Sequence, residues 1–234
     1  MSRYTPIYGA FLARLDEIML LKSKAAALNR TKNAVRHGAE INALCRASIV
    51  LLSSHIEAYV KELGEHTLDA MYENKICRSK IALLFFYHLS KERIENIRSG
   101  SDPEKIAGNM RTFVEEESKL WKPMGEFPIP ISASEFNGGF SNPKFEKTKA
   151  YFGRFGYSTY RKDFFSKLGR YGQLTINNID HIVDTRNSIA HGDPNATKTP
   201  VEVAEMIDTA KLFCRTTDDI FAKWCRNNLC NIRQ

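Results

Sequence analysis

The sequence contains no long hydrophobic run. Its longest uninterrupted apolar stretch, IALLFFY starting at Ile81, is far shorter than the roughly 20 residues that a transmembrane helix needs. The N-terminal segment Met1–Arg30 also lacks the apolar core and small-residue cleavage site of a secretory signal, because charged residues interrupt it throughout. We therefore expect a protein of the cytoplasm with no membrane partner.

The chain has few cysteines, and their spacing matches no metal-binding or disulfide motif. The five cysteines, an odd number, form no CxxC pair and have no histidine at metal-ligand spacing; they are Cys45, Cys77, Cys214, Cys225 and Cys230. This pattern predicts free thiols in a reducing compartment and argues against a metal site or a disulfide framework.

Several sequence motifs of cofactor-dependent and hydrolytic enzymes are also missing. The chain has no phosphate-binding Walker loop, no HExxH zinc motif, no dinucleotide-binding glycine fingerprint and no GxSxG nucleophile elbow. Nucleotide hydrolysis, redox chemistry and serine hydrolase chemistry therefore have no support, and we expect no cofactor.

Positive charge is in excess. The 234 residues include 34 lysines and arginines against 27 acidic residues, which gives a formal net charge of +7. A basic surface attracts nucleic acid and anionic membranes through long-range electrostatics, so a polyanion is a candidate partner. A basic surface without any anionic partner would explain the same composition.

The hydrophobic pattern is helical along most of the chain. Apolar residues recur three or four positions apart, as amphipathic helices require. Predicted helices cover Pro6 to about Arg30, the region from Ile41 to about Tyr72, a continuous segment between a Ser79 cap and Gly100, a segment opened by Asp102 and Pro103, residues 174–191, and a last helix opened by Thr199, Pro200 and Glu202. The prediction is an all-α, elongated bundle forming one domain over residues 1–234.

One segment interrupts this pattern. Residues 122–141 are rich in Pro, Gly and Ser and predict a loop, with a short strand at FPIPIS, and residues 142–172 mix basic and aromatic side chains. We treat about 123–172 as an irregular insert before the last two helices. Its cations Lys149, Arg154, Arg161 and Lys162 are candidate RNA contacts, with aromatic neighbours available to stack bases. Alternatively, the aromatics pack the insert onto the bundle and the cations are solvated.

The end of the helix over residues 174–191 is unusual. Arg186 lies within the apolar stripe, Asn187 follows it, and His191 comes where Gly192 predicts the helix end. An unpaired buried arginine is very costly, so this position must face a carboxylate, a cleft or a subunit interface. Helices also commonly end in Arg or His followed by Gly, which is the structural alternative.

The segment RNSIAHG, residues 186–192, resembles the R-N-x-x-x-H motif of HEPN-domain ribonucleases. RASIVLLSSHIEAYVKEL, residues 46–63, is similar to the second helix of toxin-like HEPN families, in which a serine and a glutamate recur near the pocket. The resemblance implies an all-α HEPN bundle and a metal-independent endoribonuclease acting on single-stranded RNA. It also implies a homodimer with a composite active site, a role as a bacterial toxin or antiphage defence effector, and a cognate antitoxin.

The resemblance assigns roles to particular residues. Arg186 would bind the phosphoryl oxygens through its guanidinium fork, His191 would act as acid or base, and Asn187 would orient the phosphate or the imidazole. Glu57 would hold Arg186 in its working rotamer, and Ser54 would support the pocket.

Two readings without catalysis stay open. One is a noncatalytic module of the HEPN fold that binds RNA or a protein partner. The other is an unrelated basic helical adaptor, in which Arg186 makes an interface salt bridge and His191 caps its helix. The helical spacing of Asp180, His181 and Asp184 would also suit a metal, although a solvated helix face explains it better.

Overall fold

A computed structural model describes residues 3–233, and every regular element in that part of the chain is helical. The predicted all-α class is confirmed. The helices are α1 (Pro6–Asn29), α2 (Gly38–Glu73), α3 (Leu83–Leu89), α4 (Lys91–Arg98), α5 (Pro103–Glu117), α6 (Ala133–Asn137), α7 (Phe145–Gly153), α8 (Tyr160–Leu168), α9 (Gly172–Ala190) and α10 (Pro200–Asn228). Short 3-10 turns cover Ala34–His37, Arg78–Lys80 and Gly169–Tyr171.

Helices α1 and α2 form an antiparallel pair. Arg14 of α1 binds Glu62 of α2 at 2.6 Å, and nearer the connecting turn Lys24 binds Glu40 at 3.3 Å. Helix α2 thus runs back along α1. Residues 30–37, which join them, lie at the end of the bundle where α2 begins.

Helix α2 is the central helix of the bundle. It has 36 residues and is therefore about 54 Å long. The stretch Ala34–Glu73 is long and apolar enough, by length and composition, to cross a membrane. Its apolar side chains, such as the fully buried Leu52 and Ile56, instead form the core between α1, α9 and α10.

Helices α9 and α10 complete the core around α2. Ile179 and Ile182 of α9 are fully buried, as the predicted apolar stripe requires. The buried Tyr59 hydroxyl of α2 donates a 2.9 Å hydrogen bond to the backbone carbonyl of Cys214 in α10. All five cysteines are free thiols, and four of them are buried.

The predicted start of α10 is confirmed in detail. The Thr199 hydroxyl accepts the backbone N–H of Glu202 at 3.2 Å, and the Glu202 carboxylate accepts the backbone N–H of Thr199 at 2.8 Å. This reciprocal capping box, with Pro200 in the first turn, satisfies the free N–H groups of the helix end. Asp102 likewise caps α5 by accepting the N–H of Glu104 at 3.1 Å.

The predicted continuous helix between Ser79 and Gly100 is wrong. Ser90 separates α3 from α4, and Ser79 lies in a 3-10 turn instead of capping a helix. The buried Ser90 hydroxyl donates to Glu117 of α5 at 2.6 Å and accepts from the Trp121 indole at 3.0 Å. These tertiary hydrogen bonds anchor the chain where the local pattern predicts an uninterrupted helix.

The predicted strand at FPIPIS, residues 127–132, is also wrong. This segment has no regular secondary structure, which agrees with the loss of backbone N–H donors at Pro128 and Pro130. The remainder of the insert is less irregular than expected, since α7 and α8 occupy much of residues 145–168.

The insert packs into the same core as the bundle. The rings of Phe152 in α7 and Phe221 in α10 have centroids 4.3 Å apart, and the Tyr160 hydroxyl lies 2.7 Å from the Thr217 hydroxyl. The buried apolar side chains of the insert and of the bundle form one continuous cluster. Helices α7 and α8 thereby support α9, which carries the RNSIAHG motif.

Candidate functional site

The RNSIAHG motif occupies the last turn of α9 and the two residues that follow it. His191 is the C-cap, and Gly192 follows with φ +81°, a conformation that favours glycine. The N–H of Asp193 donates to Ser188 O at 3.0 Å, and that of Gly192 donates to Ile189 O at 3.1 Å. This is a Schellman ending, so the position of the His191 backbone is tightly defined.

Arg186 lies on the buried side of α9, beyond Ile182 and Val183 in the apolar stripe, and is itself partly buried. Its Nη1 atom donates a 3.1 Å hydrogen bond to the Asn187 side-chain oxygen. Within residues 3–233, no Asp or Glu oxygen lies within 4.0 Å of this guanidinium. Arg186 therefore has no carboxylate partner in the described part of the chain.

Asn187 contacts Arg186 and lies one helical turn before His191. The two residues Asn187 and His191 are four apart, so their side chains leave the same helix face one turn from each other. The His191 backbone N–H also donates to Asn187 O at 2.9 Å, and its side chain is exposed at the helix end. Together the three residues offer a cation, an amide and an imidazole on one surface, which suits binding and proton transfer at a phosphodiester.

Sequence reasoning missed Arg46 of α2. Its Nη1 atom donates to two backbone carbonyls of the turn after the motif, Asp193 O at 2.8 Å and Ala196 O at 3.3 Å. Arg46 opens the segment that resembles the second HEPN helix, but no local pattern could show that it binds a turn 147 residues away. The contact fixes the turn beside His191 against the central helix.

The structure does not bring Glu57 onto Arg186. The Glu57 carboxylate binds Lys61 at 2.7 Å and accepts the Asn142 backbone N–H at 3.3 Å. Its observed role is to hold the start of the segment leading into α7. This corrects the expectation that Glu57 holds Arg186 in its working rotamer.

Ser54 is exposed on α2. Its hydroxyl donates to Val50 O of its own helix at 3.0 Å. Within residues 3–233 its side chain makes no other hydrogen bond, so no supporting hydrogen bond of Ser54 to the motif is observed.

The acidic residues on α9 have structural partners. Asp180 accepts the backbone N–H of Phe145, at the start of α7, at 2.9 Å, and Asp184 binds Lys144 at 2.6 Å. These contacts join α9 to the insert. Within residues 3–233 no group of three His, Cys, Asp or Glu side chains has a metal-binding arrangement.

The four predicted RNA-binding cations are in different situations. Lys149 and Arg161 both bind Glu146, at 2.6 and 2.7 Å. The guanidinium of Arg154 turns toward Phe136 O and Gly138 O instead of extending into solvent. Lys162 is exposed. Of the four predicted RNA contacts, Lys162 is therefore accessible, Arg154 has a structural role inside the fold, and Lys149 and Arg161 share one carboxylate.

The proposed base-stacking aromatics are not accessible. All six are at most 1% exposed: Phe145, Tyr151, Phe152, Phe155, Tyr157 and Tyr160. Burial raises the pKa values of the Tyr151, Tyr157 and Tyr160 phenols, as expected for groups inside the core. The stacking interpretation is wrong, and the alternative that these rings pack the insert onto the bundle is correct.

Comparison with known proteins agrees with this helical architecture. No curated protein and no solved structure matches the chain. The model of the family described as RiboL-PSP-HEPN matches residues 11–223, which include α2, the insert, the RNSIAHG motif and most of α10. The match extends over nearly the whole chain, and the chain therefore belongs to the RiboL-PSP-HEPN family.

Proposed function

We propose that this HEPN protein is a metal-independent endoribonuclease that cleaves single-stranded RNA by attack of a ribose 2′-hydroxyl. The observation that carries the proposal is the partly buried Arg186, which has no carboxylate partner in residues 3–233 and contacts Asn187, one turn from the exposed His191. A guanidinium in this state is available for an external anion, and a phosphodiester supplies one.

The chemistry needs only groups that the motif offers. The 2′-oxygen forms a bond to phosphorus, the bond from phosphorus to the 5′-oxygen breaks, and the products are a 2′,3′-cyclic phosphate and a 5′-hydroxyl. A base accepts the 2′-hydroxyl proton and an acid donates one to the leaving oxygen, roles that suit His191. Arg186 stabilises the negative charge of the phosphorane, and Asn187 orients the phosphate.

A homodimer supplies the second acid–base group. Each chain contributes a single histidine from the motif, whereas the reaction requires a proton acceptor and a proton donor. Two copies of the RNSIAHG surface meeting at a two-fold axis provide both. This arrangement also covers the partly buried Arg186 at a subunit interface.

The biological setting belongs to the same proposal. We infer a cytoplasmic toxin or antiphage defence effector held in check by a cognate antitoxin, because unrestrained cleavage of RNA would harm the host cell. The basic net charge of +7 favours an RNA substrate over a neutral one.

A noncatalytic RNA-binding or partner-binding module is the second candidate. The observation that favours it is that one protomer presents only one imidazole within the motif, so an isolated chain lacks the second acid–base group. Such a module would tolerate expression in a host, and substitution of the motif would affect only binding.

The test is cleavage of a mixed single-stranded RNA pool in EDTA, with identification of the product ends. Wild type should produce cyclic phosphate and 5′-hydroxyl ends, and His191→Ala should produce none. His181→Ala is the matched control, because His181 is an exposed histidine of the same helix outside the motif. Equal cleavage by His191→Ala, or products with 5′-phosphate ends, would overturn the catalytic assignment. No cleavage by wild type would favour the binding module.

A further inference from the structure

The turn between α1 and α2 carries concentrated positive charge. Residues 30–38, RTKNAVRHG, contain Arg30, Lys32 and Arg36 and no acidic residue. All three side chains are exposed, and within residues 3–233 none lies within 4.0 Å of a carboxylate. The closest acid in sequence, Glu40, is already bound by Lys24 at 3.3 Å and by His37 at 3.7 Å. The charge of the turn is therefore not neutralised by the protein.

Three cations of the insert differ in this respect, although Lys162 is exposed and has no ion pair within residues 3–233. Lys149 and Arg161 share Glu146, and Lys144 binds Asp184 at 2.6 Å. An anionic ligand would have to compete with these carboxylates. The α1–α2 turn presents no such competition, so it is the stronger site for a polyanion.

The turn lies at the same end of the bundle as the RNSIAHG motif. Arg46 binds Asp193 O and Ala196 O directly after the motif, and α2 begins at Gly38, only eight residues before Arg46. Eight helical residues span about 12 Å. A single-stranded RNA bound at His191 can therefore reach the α1–α2 turn without crossing the length of the bundle.

We propose that the α1–α2 turn binds the phosphates of the RNA that flank the cleavage position. The substrate assignment rests on the proposed function, while the anion-binding surface itself does not require catalysis. RNA fits better than an acidic polypeptide because protein interfaces bury an apolar centre. In this turn the large exposed hydrophobic side chain is Val35 alone, and it lies between Lys32 and Arg36 in the sequence.

The experiment measures RNA binding at several salt concentrations with a chain that cannot cleave. The probe is a labelled 20-nucleotide single strand of mixed sequence, bound by full-length His191→Ala in EDTA. The added variant is Arg30→Gln, Lys32→Gln and Arg36→Gln together. Loss of three phosphate contacts should reduce the magnitude of the negative slope of log K against log salt by about 2, since each contact to a single strand contributes about 0.7.

A matched control removes the same charge at the opposite end of α2. Lys80, Lys119 and Lys122 are exposed and have no ion pair within residues 3–233, and Arg78 hydrogen-bonds the backbone around them. Lys80 follows the C-terminal end of the 36-residue α2, and Arg78 ties Lys119 to the same region, whereas the α1–α2 turn precedes the N-terminal end of that helix, which is about 54 Å long. Replacing these three lysines by glutamine should leave the salt slope nearly unchanged.

The outcomes separate this proposal from the proposed function. A smaller salt dependence of RNA binding in the turn variant alone supports the α1–α2 turn as an RNA-binding surface, whether or not wild type cleaves RNA. An equal reduction in both variants indicates a net-charge effect and overturns it. An unchanged slope in the turn variant overturns it as well, even if wild type is an active ribonuclease. A turn variant that keeps its RNA affinity but loses binding to a polyglutamate peptide would identify an acidic polypeptide as the partner instead.

Discussion

The Arg46 guanidinium in α2 donates a 2.8 Å hydrogen bond to the backbone carbonyl of Asp193, two residues after His191. A second bond, of 3.3 Å, reaches Ala196 O. The Schellman ending defines the local shape of this turn, but local hydrogen bonds cannot fix where the turn lies relative to the rest of the bundle. Arg46 supplies that tertiary connection, so the position of His191 depends on a residue outside the motif.

We predict that Arg46→Ala lowers both the stability of the fold and the rate of RNA cleavage. Charge-assisted hydrogen bonds contribute more than neutral ones, so the free energy of unfolding should fall by about 1–3 kcal/mol. Displacement of the turn should lower kcat for RNA cleavage by about ten- to a hundredfold, since small errors in the position of a catalytic group are costly. Urea unfolding and single-turnover cleavage measure the two effects.

Arg111→Ala is the control for this prediction. The Arg111 side chain is 83% exposed, and its one ion pair within residues 3–233 is with Glu115 on its own helix. Its removal should change the free energy of unfolding by less than about 0.5 kcal/mol. If Arg46→Ala behaved like Arg111→Ala in both measurements, Arg46 would not be a positioning residue.

The helix starts that could be predicted from the sequence are those with local capping chemistry. Asp102 before Pro103, and Thr199 before Pro200 and Glu202, provide a side-chain acceptor within three residues of the N–H groups that need one. Such interactions can be read from sequence because both partners belong to one short segment. Gly192 marks the end of α9 for the same reason.

The errors arise where tertiary contacts determine local structure. The break at Ser90 depends on Glu117 and Trp121, which follow it by 27 and 31 residues. The aromatics of the insert could be recognised as a cluster, but periodicity does not show whether such rings face solvent or the core. Their burial follows from packing on α10, as the contact of Phe152 with Phe221 illustrates.

The candidate site, like the fold, could be predicted from sequence only where local helical geometry decides the position of a residue. The position of Arg186 within an apolar stripe and the exposure of His191 at the helix end follow from helical geometry. Arg46 contacts the motif turn, and Glu57 contacts Asn142, across long separations in the sequence. Glu57 also binds Lys61 within its own helix. A single sequence contains no signal that selects between these partners.

Cleavage should require the dimer if two copies of the motif form the site. We predict that specific activity falls on dilution in parallel with the dimer fraction, because each protomer contributes one His191. Sedimentation velocity and RNA cleavage over the same concentration series test this. A chain that is monomeric at micromolar concentration and retains full specific activity would contradict a composite site.

The buried aromatics of the insert should affect stability and not RNA binding. Phe152→Ala removes a fully buried ring from the contact with Phe221, and we expect a loss of about 3–5 kcal/mol in the free energy of unfolding. Tyr160→Phe removes only the hydroxyl beside Thr217 and should cost about 1 kcal/mol. Under conditions in which both variants are folded, their RNA affinity in a filter-binding assay should equal that of wild type. A selective loss of affinity would restore a direct role for these rings.

The fully buried Asp218 should give stability an identifiable pH dependence. Its carboxylate accepts hydrogen bonds from the Thr5 hydroxyl and, at 3.1 Å, from the Thr5 backbone N–H. Burial raises the pKa of the Asp218 carboxyl above its ordinary value of 3.8, although the Thr5 bonds oppose this shift. The unfolded chain then releases the proton first, so this group destabilises the fold as pH rises from about 3.8 through the folded pKa.

Comparison of Asp218→Asn with wild type isolates this contribution. Asparagine keeps an oxygen for the Thr5 N–H and has no proton to release, so its stability relative to wild type should improve as pH rises through that window. Asp219→Asn should behave oppositely. Although burial opposes it, hydrogen bonds from Lys167 and Arg233 lower the pKa of Asp219, so its stabilising contribution is present above about 3.8 and is lost as pH falls through the folded pKa. Urea unfolding of the three proteins at pH values below and above 3.8 should give difference curves whose slopes have opposite sign, with the change for Asp218→Asn above 3.8 and the change for Asp219→Asn below it. Parallel curves would show that the two carboxyls do not differ in this way.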